Sequence, residues 1–170
     1  MTSSVIITIF PMCLAFAAVM DTLTMTIPNR ISAILLLSFL ALAPFVGMDW
    51  QTFGYHVLGG ALVFAACFVF FALNVMGGGD AKLLTAAAVW FGFGEPLVEF
   101  IGYVGVMGGL LTAAILIVRM QSDVITTIGL RVPDSLLIAK KIPYGIAIAA
   151  GGFIAFPSSP IFVAALEGLK

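Results

Sequence analysis

Long apolar segments, separated by short groups of charged, proline and glycine residues, run through the whole sequence. A helix needs about 20 such residues to cross the hydrocarbon core of a bilayer, so each segment is a candidate span. The six segments are residues 3–20, 31–48, 53–75, 81–94, 97–118 and 142–162. Because 62% of the 170 residues are hydrophobic and only 9% are charged, a water-soluble globule is excluded. The sequence predicts an all-α polytopic membrane protein with six transmembrane helices, in which residues 1–170 form a single integral-membrane domain.

The fourth segment is too short for an ordinary span, since about 14 residues reach only about 21 Å as a helix. Either its helix continues through Pro96, or it begins below the membrane surface. Asp80, which stands directly before this segment, favours the second arrangement.

The basic residues predict the orientation of the chain. Arg30, Lys82 and the basic residues of the long connection 119–141 fall on one side of a six-span arrangement. The connections on the other side carry no Lys or Arg and hold Asp49, Glu95 and Glu99. Since cytoplasmic loops carry the excess of Lys and Arg, we expect the N-terminus outside. The connection 119–141 is expected to lie along the cytoplasmic lipid headgroups.

Several other residues receive structural interpretations. Cys13 and Cys67 lie within apolar segments, without the Cys or His neighbours of a metal site or a disulfide framework, so we expect no metal and no cofactor. His56 is expected to be structural, and Trp50 and Trp90 to belong to interfacial aromatic belts. The net charge of −1 excludes nucleic acid as a partner, and membrane lipid is the partner that we expect.

Two aspartates stand where predicted spans meet the same side of the membrane. Asp21 directly follows the first segment and Asp80 directly precedes the fourth, so the topology places both at the cytoplasmic side. An ionisable residue at the edge of a span is costly, which makes it a functional hypothesis. Paired carboxyl groups suit general acid/base chemistry, with one ionised and one protonated. From spacing alone, simple capping of two helix ends is an equal alternative.

The residues after Asp21 predict a short constrained turn. Pro28 disfavours helix at Ile27, and Asn29 is expected to cap the next helix. Irregular backbone here, at residues 27–29, is expected to line a water-filled cavity together with residues 74–79.

The residues around Asp80 predict a close approach of chains. Gly77, Gly78 and Gly79 precede it and are expected to allow positive φ and close contact with another segment. Lys82 lies two residues beyond Asp80, on a different helix face, and is expected to extend to the headgroups.

Together these elements resemble the type IV prepilin peptidases, and the resemblance covers most of the chain. The Gly-x-Gly-Asp element also resembles that of presenilin-type and archaeal preflagellin peptidases. The elements are Asp21 with Ile27-Pro28-Asn29, Gly77-Gly78-Gly79-Asp80 with Lys82-Leu83-Leu84, and Pro143-Tyr144-Gly145.

The resemblance implies an aspartic endopeptidase of the bacterial inner membrane. It would cleave basic leader peptides from prepilins or pilin-like proteins at the cytoplasmic face, with Asp21 and Asp80 on the catalytic positions. The substrate would lie against the three glycines, and Pro28, Asn29 and Lys82 would assist its binding.

The sequence also departs from the longer members of that family. It lacks their cytoplasmic domain with paired cysteines, so we expect no methyltransferase activity, and the compact form resembles the enzymes of Flp/Tad pili. Two alternatives stay open: an ion-coupled carrier with Asp21 and Asp80 as a proton relay, and a silent subunit of a pilus apparatus. The sequence predicts no oligomeric state.

Overall fold

The computed structural model describes residues 2–121 and 142–168, and every regular element within these ranges is helical. The helices are α1 (Thr2–Thr24), α2 (Asn29–Leu42), α3 (Trp50–Ala72), α4 (Gly78–Ala88), α5 (Glu95–Met120), α6 (Gly145–Ala155) and α7 (Pro160–Glu167). Short 3-10 turns extend α2 at Ala43–Val46 and join α6 to α7 at Phe156–Ser158.

The described residues provide four or five candidate membrane spans. Four helices are long and apolar enough by themselves, and α6 with α7, bent by 49°, makes up to a fifth. The spans are fewer than the six predicted segments because α4 has only 11 residues, about 17 Å of helix. The protein is therefore a multi-pass membrane protein whose regular elements, in the described ranges, are all helices.

Two pairs of hydrogen bonds mark the two ends of the bundle. At one end, Lys82 bonds to Asn29 and Gly145 bonds to Asp21, which joins the starts of α2, α4 and α6 with the last turn of α1. At the other end, the Phe93 N–H donates to the Tyr55 carbonyl, and Ser158 donates to Glu99. We call the first the aspartate end.

Helix α6 packs closely between α1 and α5 because its buried positions are small. A Cβ added at Gly151 would lie 2.6 Å from the backbone nitrogen of Val104 in α5, and one at Gly152 would overlap Leu14 of α1. Small residues at such contacts let membrane helices approach closely. This packing holds the middle of α6 between α1 and α5.

Helix α4 ends inside the protein, at a turn formed by residues 89–94, of which residues 89–92 are buried and Phe93 and Gly94 are exposed. Pro96 lies in the first turn of α5, so the predicted alternative in which the fourth helix continues through Pro96 is wrong. Gly92 adopts φ +71°, and a Cβ there would lie 3.2 Å from the His56 ring. The turn thus fills the space beside α3.

Two side chains and one backbone carbonyl from other segments satisfy polar groups of this turn, as a non-helical backbone in an apolar interior requires. The buried His56 donates through Nδ1 to the Val89 carbonyl at 2.6 Å, and the Ser159 Oγ donates to the Trp90 carbonyl at 2.6 Å. Trp90 donates to the Leu35 carbonyl at 3.0 Å and is fully buried. The prediction that Trp90 lies in an interfacial belt is therefore wrong, because its indole fills the core, whereas Trp50 is 87% exposed.

Replacing Ser159 by Ala should destabilise the protein by about 1–3 kcal/mol, because it leaves the buried Trp90 carbonyl without its donor. Thermal unfolding in detergent micelles measures this. Ser158 is the matched control, since its hydroxyl lies at the surface, and Ser158→Ala should leave the melting temperature nearly unchanged. Equal effects of the two variants would contradict the assignment.

Candidate active site

Asp21 lies in the last turn of α1, because that helix continues to Thr24 and not only to Met20. Its side chain is buried, and its Oδ2 accepts a hydrogen bond of 2.7 Å from the backbone N–H of Gly145 at the start of α6. Met25, with φ +53°, ends the helix, and α2 begins at Asn29. The predicted break before Pro28 is confirmed.

Asp80 lies in the first turn of α4 and is partly buried. Its carboxylate folds back over the start of the helix, since a Cβ added at Gly77 would lie 2.8 Å from the Asp80 Oδ2. The positive end of the helix dipole favours a negative charge at this place.

The prediction of positive φ at the three glycines is wrong. Gly77 has φ −69° and ψ 144°, and Gly78 and Gly79 belong to the α4 helix. What the positions require is close approach: a Cβ at Gly79 would lie 3.2 Å from the Ile27 Cβ, and one at Gly78 would lie 3.2 Å from the Phe71 ring. The missing side chains let α4 lie against the turn after Asp21.

Both aspartates line one cavity of about 240 Å³ at the aspartate end. Water occupies about 30 Å³ per molecule in the liquid, so this space can hold several waters. The other lining residues are Met25, Thr26, Ile27, Asn29, Gly77, Gly78, Gly79 and Ile142. The structure thus joins five of the predicted substrate-site and turn positions to the aspartate pair, whereas Pro28 and Lys82 are not among the residues that line it.

A second, larger cavity of about 720 Å³ adjoins the first and shares Asp80 with it. Its walls are mainly apolar and include the end of α3 and the start of α6. The lining residues are Phe70, Phe71, Asn74, Val75, Met76, Gly77, Gly78, Asp80, Ile142 and Tyr144. Sequence reasoning predicted residues 74–79 beside a cavity but missed Phe70, Phe71 and Tyr144. The Pro143-Tyr144-Gly145 motif was a signal for Tyr144, whereas the two phenylalanines had none.

Lys82 and Asn29 connect the two aspartate-bearing segments. The Lys82 Nζ donates to the Asn29 Oδ1 at 3.0 Å, so within the described residues this side chain of Asn29 binds α4 and does not cap α2. The capping prediction is therefore wrong, because a tertiary partner takes the side-chain oxygen. Lys82, expected to extend to the headgroups, is exposed but is bound to the protein at its tip.

The other acidic residues that the structure describes near helix ends serve the opposite end of the bundle. Asp49 caps α3 by accepting hydrogen bonds from the N–H groups of Gln51 and Thr52. Hydrogen bonding to Thr52, from its side chain and backbone, lowers the pKa of Asp49. Asp123 and Asp134, and with them the predicted headgroup position of most of connection 119–141, lie outside the described residues. No group of three or more His, Cys, Asp or Glu side chains in residues 2–121 and 142–168 could hold a metal ion.

A pair of aspartates on different helices, sharing a cavity at one end of an apolar helical bundle, defines a polytopic membrane protein with a paired-carboxylate site. The model of the type IV leader peptidase family matches residues 8–118, which contain both aspartates. Since this match covers more than half of the chain, the protein belongs to that family. Neither the curated proteins nor the solved structures compared with the chain gave a significant match. Family membership indicates a peptidase that acts on prepilin-type substrates.

Proposed function

We propose that the protein is an aspartic endopeptidase that removes leader peptides from prepilins, with Asp21 and Asp80 as its catalytic pair. The observation that supports this role is the single cavity lined by both carboxyl groups, within the part of the chain that matches the peptidase family. An ion-coupled carrier using the same aspartates is not favoured by that match.

The pair would act by general acid/base catalysis on a water molecule in the smaller cavity. The ionised carboxylate takes a proton from water as its oxygen adds to the scissile carbonyl carbon. The protonated carboxyl group donates to the developing oxyanion, and the C–N bond then breaks as a proton passes to the leaving amine. Water is the nucleophile, so no acyl-enzyme forms.

The two cavities support an arrangement of the bound substrate in which its backbone and its side chains occupy different spaces. Its extended backbone would lie against Gly77, Gly78 and Gly79, which line the smaller cavity together with Asp80. Apolar side chains adjoining the scissile bond would enter the larger cavity. Asn29 and Lys82 would act by holding the turn after Asp21 against α4, since their side chains bind each other.

The larger cavity can be tested on α3. Phe70→Ala should raise KM for a prepilin several-fold, because it removes an apolar wall of the cavity, with a smaller effect on kcat. Phe68→Ala is the control, since Phe68 is exposed on the same helix, 57% against 46% for Phe70, but does not line the cavity. Equal KM values for the two variants in lipid vesicles would contradict this binding site.

The charges at the two ends support a cytoplasmic site with the N-terminus outside. Arg30 and Lys82 lie at the aspartate end, and Asp49, Glu95 and Glu99 lie at the opposite end. This matches the excess of basic residues on cytoplasmic sides. We propose the bacterial inner membrane as its location and Flp/Tad-type prepilins as its substrates. We propose peptidase activity without methyltransferase activity, since Cys13 and Cys67 are free cysteines in different helices, α1 and α3.

Cleavage of a purified Flp-type prepilin by oriented membrane vesicles tests this function. Vesicles with the cytoplasmic face outward should cleave added prepilin, and vesicles of the opposite orientation should do so only after detergent opens them. Proton-driven flux without cleavage would support the carrier instead, and the absence of both would indicate a subunit without activity of its own.

A further inference from the structure

We infer that Gly145 is a positioning residue, which fixes the carboxyl group of Asp21 for reaction. The inference rests on the proposed catalytic role of Asp21. The backbone N–H of Gly145 donates to the Asp21 Oδ2 at 2.7 Å, across 124 positions of sequence. Residue 145 lies beyond the end of the family match at residue 118, so the match does not bear on it.

The hydrogen bond determines which oxygen of Asp21 is available. Since Oδ2 accepts the hydrogen bond of the Gly145 N–H, Oδ1 is the oxygen that exchanges a proton with water. A buried carboxyl group with one oxygen fixed keeps a single orientation toward the cavity, as acid/base catalysis requires of its groups.

The position also excludes any side chain. A Cβ added at Gly145 would lie 2.9 Å from both the Cβ and the Oδ2 of Asp21, and 3.2 Å from its Cγ. Distances below 3.0 Å are not tolerated without displacement, so the carboxyl group of Asp21 and the backbone of residue 145 would have to separate. The backbone N–H of Gly145 therefore donates to the carboxylate, and the missing side chain of Gly145 leaves the space that the carboxylate occupies.

Helix α5 holds this donor in place through the neighbouring residue. The phenol ring of Tyr144 lies directly over Gly108 of α5, where an added Cβ would overlap its Oη and Cζ. On the other side, the Tyr144 carbonyl accepts the Ile148 N–H at 3.0 Å, which fixes the first turn of α6. Contacts thus run from Gly108 through Tyr144 and Gly145 to Asp21.

The direct test is Gly145→Ala in the full chain, reconstituted in lipid vesicles with a prepilin as substrate. We expect kcat to fall by about 100-fold, because a displacement near 1 Å of a catalytic group has an effect of that order, with KM within about two-fold of the original. The matched control is Gly152→Ala, which disturbs the same α1–α6 contact at Leu14, two turns from Asp21. It should keep kcat within about three-fold.

A second pair of variants keeps the inference testable if Gly145→Ala does not fold. Gly108→Ala should lower kcat, whereas Gly109→Ala should not, since a Cβ there meets no described atom within 4 Å. In a Tyr144→Ala background the Gly108→Ala change should have no further effect on kcat, because the two residues act through one contact. Equal losses in both backgrounds, or equal kcat for Gly145→Ala and Gly152→Ala, would overturn the inference.

Asp21→Asn in the same assay separates the two proposals. If Asp21→Asn retains activity, the proposed catalytic role of Asp21 fails. If Asp21→Asn is inactive and Gly145→Ala is fully active, only the positioning role of Gly145 is rejected.

Discussion

Replacing either Asp21 or Asp80 by Asn should lower the rate of prepilin cleavage by about 10²–10⁴-fold, which is the usual contribution of a positioned acid or base. An amide of the same size can neither take the proton of the attacking water nor return one to the leaving amine. The measurement is a time course of leader removal by the purified variants in lipid vesicles. The variants should remain inserted and should unfold at temperatures close to that of the original protein.

Asp49→Asn and Glu95→Gln are the controls for this experiment. Both residues lie at the opposite end of the bundle, and Asn is as good a helix cap as Asp, so α3 keeps its first turn. These variants should retain most of the activity. Substantial turnover by Asp21→Asn or Asp80→Asn would remove the aspartate pair from the mechanism.

Gly79→Val should lower kcat/KM by about 100-fold through displacement alone. Even a Cβ at this position lies 3.2 Å from the Cβ of Ile27 and 3.5 Å from its backbone nitrogen, so the branched side chain must push α4 away from the turn after Asp21. The two aspartates then separate. Gly79→Ala, which requires a shift of a few tenths of an ångström, should give an intermediate rate.

The same substitution on α5 provides the comparison. Gly109→Val introduces an identical side chain where an added Cβ meets no described atom within 4 Å, so cleavage should continue at nearly the original rate. Rates for Gly79→Val that match those of Gly109→Val would mean that the contact with Ile27 does not position the site.

Much of the helical framework follows from local properties of the sequence. Apolar length predicts the long helices, and Pro28 predicts the break between α1 and α2, because both effects act over a few neighbouring residues. The grouping of Asp21 with Asp80 follows from the basic residues Arg30 and Lys82, which lie at the starts of α2 and α4 and mark the same end of the bundle. Charge and hydropathy therefore predict which helix ends lie at the same end of the bundle.

The contacts that shape the site are not local, and sequence reasoning missed them for that reason. The bond from Ser159 to the Trp90 carbonyl joins residues 69 positions apart, and the bond from Gly145 to Asp21 spans 124. Local rules also fail where a distant partner competes: Asn29 has the residue type of a helix cap, but Lys82 takes its oxygen. A glycine required for close approach looks the same in sequence as one required for positive φ.

Helix α4 connects Asp80, in its first turn, to the turn at residues 89–94. Its length is 11 residues, about 17 Å, so a rotation of about 3° at the turn moves the opposite tip, which carries Asp80, by about 1 Å. A displacement of that size is enough to change a catalytic rate by about 100-fold. The hydrogen bonds of His56 and Ser159 to this turn would therefore determine how precisely Asp80 is placed, although neither residue lines the cavity of the two aspartates.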